Sequence, residues 1–165
     1  MKKVAVVMGS ASDLPLAKEA LKTLTAFGIS AVARVLSAHR TPEEAAVFAK
    51  GAEADDFGVI IAFAGKAAHL AGAMAANSIL PVIGVPVCGK DLGGLDALLS
   101  TAQMPKGVPV ATVAIDGGSN AALLAVRILA LTDESLNAKL KQYTQKLAEQ
   151  SILADAQLQR EMDEI

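Results

Sequence analysis

Val4-Ala5-Val6-Val7-Met8 is an uninterrupted apolar run that stops at Gly9-Ser10. A strand with one wet face alternates apolar and polar residues. A strand with no polar position is covered on both faces, as in a parallel sheet held between helices. Comparable segments recur at Ala31–Leu36, Val59–Ala64, Pro81–Val87 and Val108–Ile115. Helical signals lie between them. Asp13 is placed to cap a first helix, Pro15 suits its first turn, and Leu14, Ala17, Ala20, Leu21 and Leu24 follow at helical spacing before Gly28 stops it. Thr41 can cap a second helix, Glu43–Ala54, with Pro42 in its first turn. A short Ala-rich helix runs to about Asn77, and another covers Ala121–Leu131; no element is assigned between Gly94 and Val108. Strand and helix thus alternate five times. This predicts an α/β fold of three layers, α/β/α, around a parallel sheet with right-handed crossovers.

The 165 residues suit one domain, 1–165, and a chain of this length buries roughly 70% of its unfolded surface without staples. Thr132-Asp133-Glu134 can start a last helix, from about residue 135 to about 162, with Leu136, Leu140, Tyr143 and Leu147 in one stripe. Ile152, Leu153, Leu158 and Met162 continue the stripe less regularly. This helix far exceeds the ~12-residue average. It either crosses onto another subunit or lies along its own domain, and the sequence weighs the two equally. An apolar content of 53% against 19% charged also hints at surface covered by partner subunits.

Several function classes are disfavoured. Net charge is −2 with no basic run, so no nucleic-acid partner is expected. Cys88 is the lone cysteine and there are two histidines, so neither a disulfide nor a metal site is expected. No stretch approaches the ~20 apolar residues of a membrane span. The apolar run after Lys2-Lys3 breaks too soon for a signal peptide. The expectation is a soluble, cytoplasmic protein.

In open parallel sheets, ligands bind beyond the carboxyl ends of the strands. Each polar or glycine-rich cluster of this chain falls at such an end. Gly9-Ser10-Ala11-Ser12-Asp13 joins a strand to a helix start, where free N–H groups and the helix dipole favour an anion. Without Gly-x-Gly-x-x-Gly or a P-loop lysine, a monophosphate suits it better than a dinucleotide or triphosphate. Ser37-Ala38-His39-Arg40-Thr41-Pro42 sets a proton carrier beside a planar cation. Gly65-Lys66-Ala67-Ala68-His69-Leu70 offers small residues against which a flat ligand can lie, with Lys66 for a carboxylate or phosphate. His69 is read as a structural histidine bonded to backbone, and Cys88 as a small apolar residue at a strand end. Further loops are Cys88–Gly94 and Asp116–Asn120. No Ser-His-Asp or Cys-His arrangement can be placed. The parts suit proton-shuttle chemistry on a small phosphorylated ligand.

Met8-Gly9-Ser10-x-Ser12-Asp13, Ser37-Ala38-His39-Arg40-Thr41-Pro42, Ala67-Ala68-His69-Leu70, Pro81–Val87, Gln103-Met104-Pro105 and Asn120–Leu124 carry a resemblance over about residues 3–131. The chain resembles the bacterial-type N5-carboxyaminoimidazole ribonucleotide mutases of purine biosynthesis. The resemblance implies a flavodoxin-like fold of strand order 2-1-3-4-5, assembled as an octamer. It implies movement of CO2 from the exocyclic nitrogen of an aminoimidazole ribonucleotide to ring carbon C4, without a cofactor. By the same resemblance His39 carries the proton, Ser10, Ser12 and Arg40 hold the phosphate, and Asp13 holds the ribose hydroxyls. Gly9, Ser37, Ala38, Gly65, Lys66, Ala67, His69 and Leu70 complete the substrate site by the same resemblance, and the loops Gly65–Leu70 and Cys88–Gly93 enclose the base and the CO2. Phe63, Lys66 and Ala71 stand where the family's usual third loop has Gly, Gly and Pro. A basic residue near Lys66 is a trait of the animal-type carboxylase, which uses free CO2, so that reaction is the alternative. A flavodoxin-like module for flavin or nucleotide is a more distant one, because the few aromatics are poorly placed to stack on a flavin.

Overall fold

The computed structural model describes residues 1–163; Glu164 and Ile165, which the one-domain expectation takes in, lie outside the described residues. Five strands form the sheet: β1 (Lys3–Met8), β2 (Ala31–Val35), β3 (Phe57–Gly65), β4 (Val82–Val87) and β5 (Ala111–Thr112). All pairs are parallel, in the order β2-β1-β3-β4-β5. The helices are α1 (Leu14–Ala26), α2 (Pro42–Gly51), α3 (Leu70–Asn77), α4 (Leu95–Ala102), α5 (Gly118–Leu129) and α6 (Glu134–Asp163). This is the three-layer, flavodoxin-like arrangement expected.

The apolar runs divide their residues between the two faces with a period of two. Val4, Val6 and Met8 of β1, with Val59, Ile61 and Phe63 of β3, pack under α1 and α5. Ala5 and Val7, with Ile60 and Ala62, pack under α2 and α3. Both sets are at or near zero exposure, which is why no polar residue interrupts the runs. Fully burying one such Val or Ile is worth roughly 1.5–3 kcal/mol.

Two expectations need correction. The strand expected over Val108–Ile115 pairs regularly only at Ala111 and Thr112. Pro109 on this edge and Pro86 on β4 each lack an N–H, so the ladder cannot continue on both sides. The chain still follows β4, through Val113 N–H to the Gly84 carbonyl at 3.1 Å and Asp116 N–H to the Pro86 carbonyl at 2.9 Å. The unassigned stretch after Gly94 holds α4. Its eight residues show only one buried i, i+4 pair, Ala97 and Thr101, which is too little for a periodic signal.

The last helix packs on its own domain over its first half only. Leu136 is buried, and Leu140 and Tyr143 pack against the α1–α5 layer. Phe27 and Tyr143 meet edge to face with centroids 5.6 Å apart, and Lys139 Nζ donates to the Phe27 carbonyl at 2.8 Å. Beyond Tyr143 the stripe has no cover among the described residues: Ile152 and Leu153 are 68% and 69% exposed. The helix therefore does not lie along its own domain over its second half. Among the described residues, no helix is long and apolar enough to cross a membrane.

Candidate active site

The carboxyl ends of β1 to β4 open into a cavity of about 530 Å³. It is lined by Gly9, Ser10, Ser12 and Asp13 after β1, and by Ser37, Ala38, His39 and Arg40 after β2. Gly65, Lys66, Ala67, His69 and Leu70 line it after β3. The candidates numbered from Gly9 to Arg40 and from Gly65 to Leu70 thus face one space, joined by Ala64 and Val87; of the Cys88–Gly94 loop only Cys88 and Gly89 line it, and the Asp116–Asn120 loop does not.

The β1 end is tightly wound. Gly9 N–H donates to the Phe63 carbonyl at 3.0 Å, tying the loop to β3. Ser10 Oγ accepts the Ser12 N–H at 3.3 Å and caps a 3-10 turn, Ala11–Asp13, that leads into α1. Ser12 Oγ donates to Asp13 Oδ1 at 3.2 Å. Asp13 does not cap α1 through its side chain, contrary to expectation. The 3-10 turn comes first, so the carboxylate faces Ser12 and the cavity. Asp13 is 9% exposed, and burial pushes its carboxyl above the ordinary carboxylate value, opposed by the Ser12 hydroxyl and the Ser10 backbone.

The β2 loop is closed from inside. Thr41 Oγ1 accepts the Ser37 N–H at 3.0 Å and donates to the Ser37 carbonyl at 3.2 Å. It makes no cap bond to α2, because its hydroxyl is already used across the loop. Arg40 N–H donates to Ser37 Oγ at 3.1 Å, and Arg40 Nη2 donates to the Gly9 carbonyl at 2.9 Å. This last bond fixes the guanidinium over the β1 loop, beside the serines.

His69 departs from the structural role expected. His39 Nε2 and His69 Nδ1 are 2.9 Å apart, with the rings near perpendicular at 82°. The His69 backbone looks after itself: its N–H donates to the Ala67 carbonyl and its carbonyl accepts the Ala73 N–H, both at 2.9 Å. The imidazole is left free to reach across from β3 to β2. One ring must donate and the other accept, so a single N–H bridges the two imidazoles.

The β3 and β4 ends differ in kind. Small residues and backbone form the wall; a Cβ at Gly65 would sit 3.3 Å from the Val87 carbonyl. Phe63 belongs to the core, fully buried beneath α5, and does not enter the cavity. Ala71 is likewise buried. Lys66 takes a left-handed backbone, φ 55°, a conformation that suits the glycine usual there. Its ammonium lies 3.6 Å from the Asp91 carboxylate. Cys88 is exposed in the cavity wall rather than packed as a small apolar residue. Its N–H donates to Asp116 Oδ1 at 2.8 Å, so a residue after β5 braces the end of β4. Asp116 is a support that sequence reasoning left out of the site; the signal was its Asp-Gly-Gly setting at a strand end.

The cavity holds two fixed cations, Arg40 and Lys66, two imidazoles and one carboxylate, Asp13. That balance suits an anionic ligand with hydroxyl groups and at least one proton to move.

Comparison with known proteins agrees in kind. The profile described as AIR carboxylase matches residues 3–150. The N5-carboxyaminoimidazole ribonucleotide mutase of Pyrococcus abyssi is 53% identical over 147 residues, covering 89% of this chain and 84% of its own. The mutase of the same name from Mycobacterium tuberculosis is 52% identical over 158 residues, covering 96% of this chain and 91% of its own. The crystal structure of Treponema denticola PurE superposes with a TM-score of 0.87 at 33% identity, covering 94% of this chain and 97% of that one.

Proposed function

The chain belongs to the AIR carboxylase family, and from that premise we propose how its cavity converts N5-carboxyaminoimidazole ribonucleotide to 4-carboxy-5-aminoimidazole ribonucleotide in purine synthesis. The enzyme is an intramolecular mutase. One observation carries the assignment of roles: His39 stands at the seam between the anion-binding β1–β2 loops and the small-residue β3–β4 wall, 2.9 Å from His69.

The substrate phosphate sits on Ser10, Ser12 and Arg40, where helix N–H groups and a guanidinium complement a dianion. Asp13 accepts the ribose hydroxyls. The base then projects past His39 toward Gly65, Ala67 and Leu70. The C–N bond of the carbamate breaks, CO2 leaves, and His39 delivers a proton to the exocyclic nitrogen. Ring carbon C4 attacks the retained CO2, forming the C–C bond and a tetrahedral carbon. His39 takes the C4 proton, and aromaticity returns. One proton is given and one recovered, so the cycle closes. His69 holds the His39 ring in the orientation both transfers need. The small residues of the β3 loop let the base and CO2 lie against backbone, which keeps the gas from escaping between the two halves.

The test is turnover. The chain should convert the N-carboxylated substrate directly, and should form far less product from 5-aminoimidazole ribonucleotide with bicarbonate. The reverse preference would make it a carboxylase that uses free CO2.

The chain works as one catalytic domain in the cytoplasm, on a small ribonucleotide and with neither nucleic acid nor membrane as partner. The core spans about residues 3–131, and α6 serves assembly into a homo-oligomer, an octamer by family resemblance. The support is the uncovered stripe beyond Tyr143, including Leu147, Ile152, Leu153 and Leu158. Deleting residues 150–165 should lower the assembly mass in light scattering; unchanged mass with unchanged thermal stability would rule the role out.

A further inference from the structure

Substrate and product each carry two anionic groups, a phosphate and a carboxylate, and the cavity wall holds two fixed cations. Arg40 is tied to the β1 loop through the Gly9 carbonyl. Lys66 is the cation on the opposite wall, beside the loop against which the base lies. In this structure its ammonium is turned to Asp91, which does not line the cavity. We propose that Asp91 is an internal stand-in for the substrate carboxylate, holding Lys66 at the rim until a carboxylated nucleotide takes its place, so that the pair sets the preference for carboxylated over decarboxylated nucleotide.

Three observations support the exchange. First, the contact is loose. At 3.6 Å it is longer than a charge-assisted hydrogen bond, and both side chains are 76% exposed. Second, the loop that carries Asp91 is exposed from Lys90 to Gly93 and is tied only at its base, where the Cys88 N–H donates to Asp116 Oδ1 at 2.8 Å. Third, Lys66 holds a left-handed conformation, φ 55°, that a side chain with Cβ adopts at an energetic cost. Glycine would fit there without strain.

The consequence is a competition between two carboxylates for one ammonium. Bound substrate and bound product both satisfy Lys66. The decarboxylated nucleotide, present with CO2 between the two halves of the reaction, does not, and then Asp91 competes again. This rests on the mutase reading above, and the experiment separates the two. Calorimetry measures the affinity of each protein for 4-carboxy-5-aminoimidazole ribonucleotide and for 5-aminoimidazole ribonucleotide. Asp91→Asn should tighten the carboxylated nucleotide about two- to fivefold, the range of an exposed ion pair, and leave the decarboxylated one unchanged. Lys66→Gly should weaken the carboxylated nucleotide by at least as much and spare the other. Asp91→Asn on the Lys66→Gly background should do nothing. An Asp91→Asn effect that is equal for both nucleotides, absent, or still present without Lys66 would overturn the proposal. Both residues are exposed and the glycine relieves strain, so the variants fold. Wild-type protein that fails to turn over the N-carboxylated substrate would instead overturn the mutase reading.

Discussion

The two halves of the cavity are built by opposite means. Around β1 and β2, hydroxyls, an arginine and a carboxylate are locked to one another: Ser10 to Ser12, Ser12 to Asp13, Ser37 to Thr41, Arg40 to Ser37 and to Gly9. Around β3 and β4, the wall is Ala64, Gly65, Ala67 and Gly89, braced by the Cys88–Asp116 bond and touched by one loose ion pair. A group whose charge does not change during the reaction can be met by donors fixed in advance. A base that loses and regains a carboxyl needs room instead. The difference shows how one cavity can hold a ligand firmly by one end and leave chemistry at the other.

The sharpest test falls on the seam. His39→Asn keeps approximate size and some hydrogen bonding but removes the titratable proton. In the proposed cycle both half-reactions use that proton, and general acid–base help is typically worth ~10²–10⁴-fold for one. Turnover should fall by at least about a thousandfold while the ribonucleotide still binds; wild-type turnover in the variant would break the division of labour. Arg40→Ala tests the fixed half. It should cost about 2–5 kcal/mol of ribonucleotide binding if the contact is desolvated. Binding of the phosphate-free nucleoside as tightly as the ribonucleotide would show that this half does not grip phosphate.

A smaller effect is expected at His69, which touches His39 and in the proposed cycle acts through it. His69→Asn should lower turnover about tenfold, the loss of one orienting hydrogen bond. A loss larger than that of His39→Asn would exchange the two roles.

The smallest effect concerns stability. Burial raises the Asp13 carboxyl above its unfolded value of 3.8. Keeping it ionised therefore works against folding above the raised value, and this penalty vanishes as pH falls below the unfolded one. Asp13→Asn should raise the melting temperature slightly at neutral pH. The gain should disappear in acid, and ribonucleotide binding should weaken. A destabilised variant would mean that the Ser12 contact outweighs burial.

Much of this was legible before any coordinates, for a physical reason. Apolar runs closed by polar clusters mark the ends of parallel strands, and all nominated residues from Gly9 to Leu70 do line one cavity. What the pattern could not reveal is direction. Thr41 and Asp13 sit at helix starts, yet their side chains turn elsewhere, because Ser37 and Ser12 compete for them. His69 was hidden for the same reason: a residue's place in the chain gives its element, and its rotamer gives its partner. The eight residues of α4 were too short for any period to show, and β5 was expected but pairs over only two residues.

The strand order has a consequence for how the chain comes into being. The first strand made lies inside the sheet, and its neighbour β3 ends at residue 65. Ala17, Ala20 and Leu24 of α1 are covered by Ala121, Ala122, Ala125 and Val126 of α5, about a hundred residues later. A ribosome delivering this chain therefore exposes an unfinished apolar layer until nearly the whole core has emerged. The contacts that close it are of high sequence separation, which slows folding and lengthens the interval in which nascent copies can stick to one another.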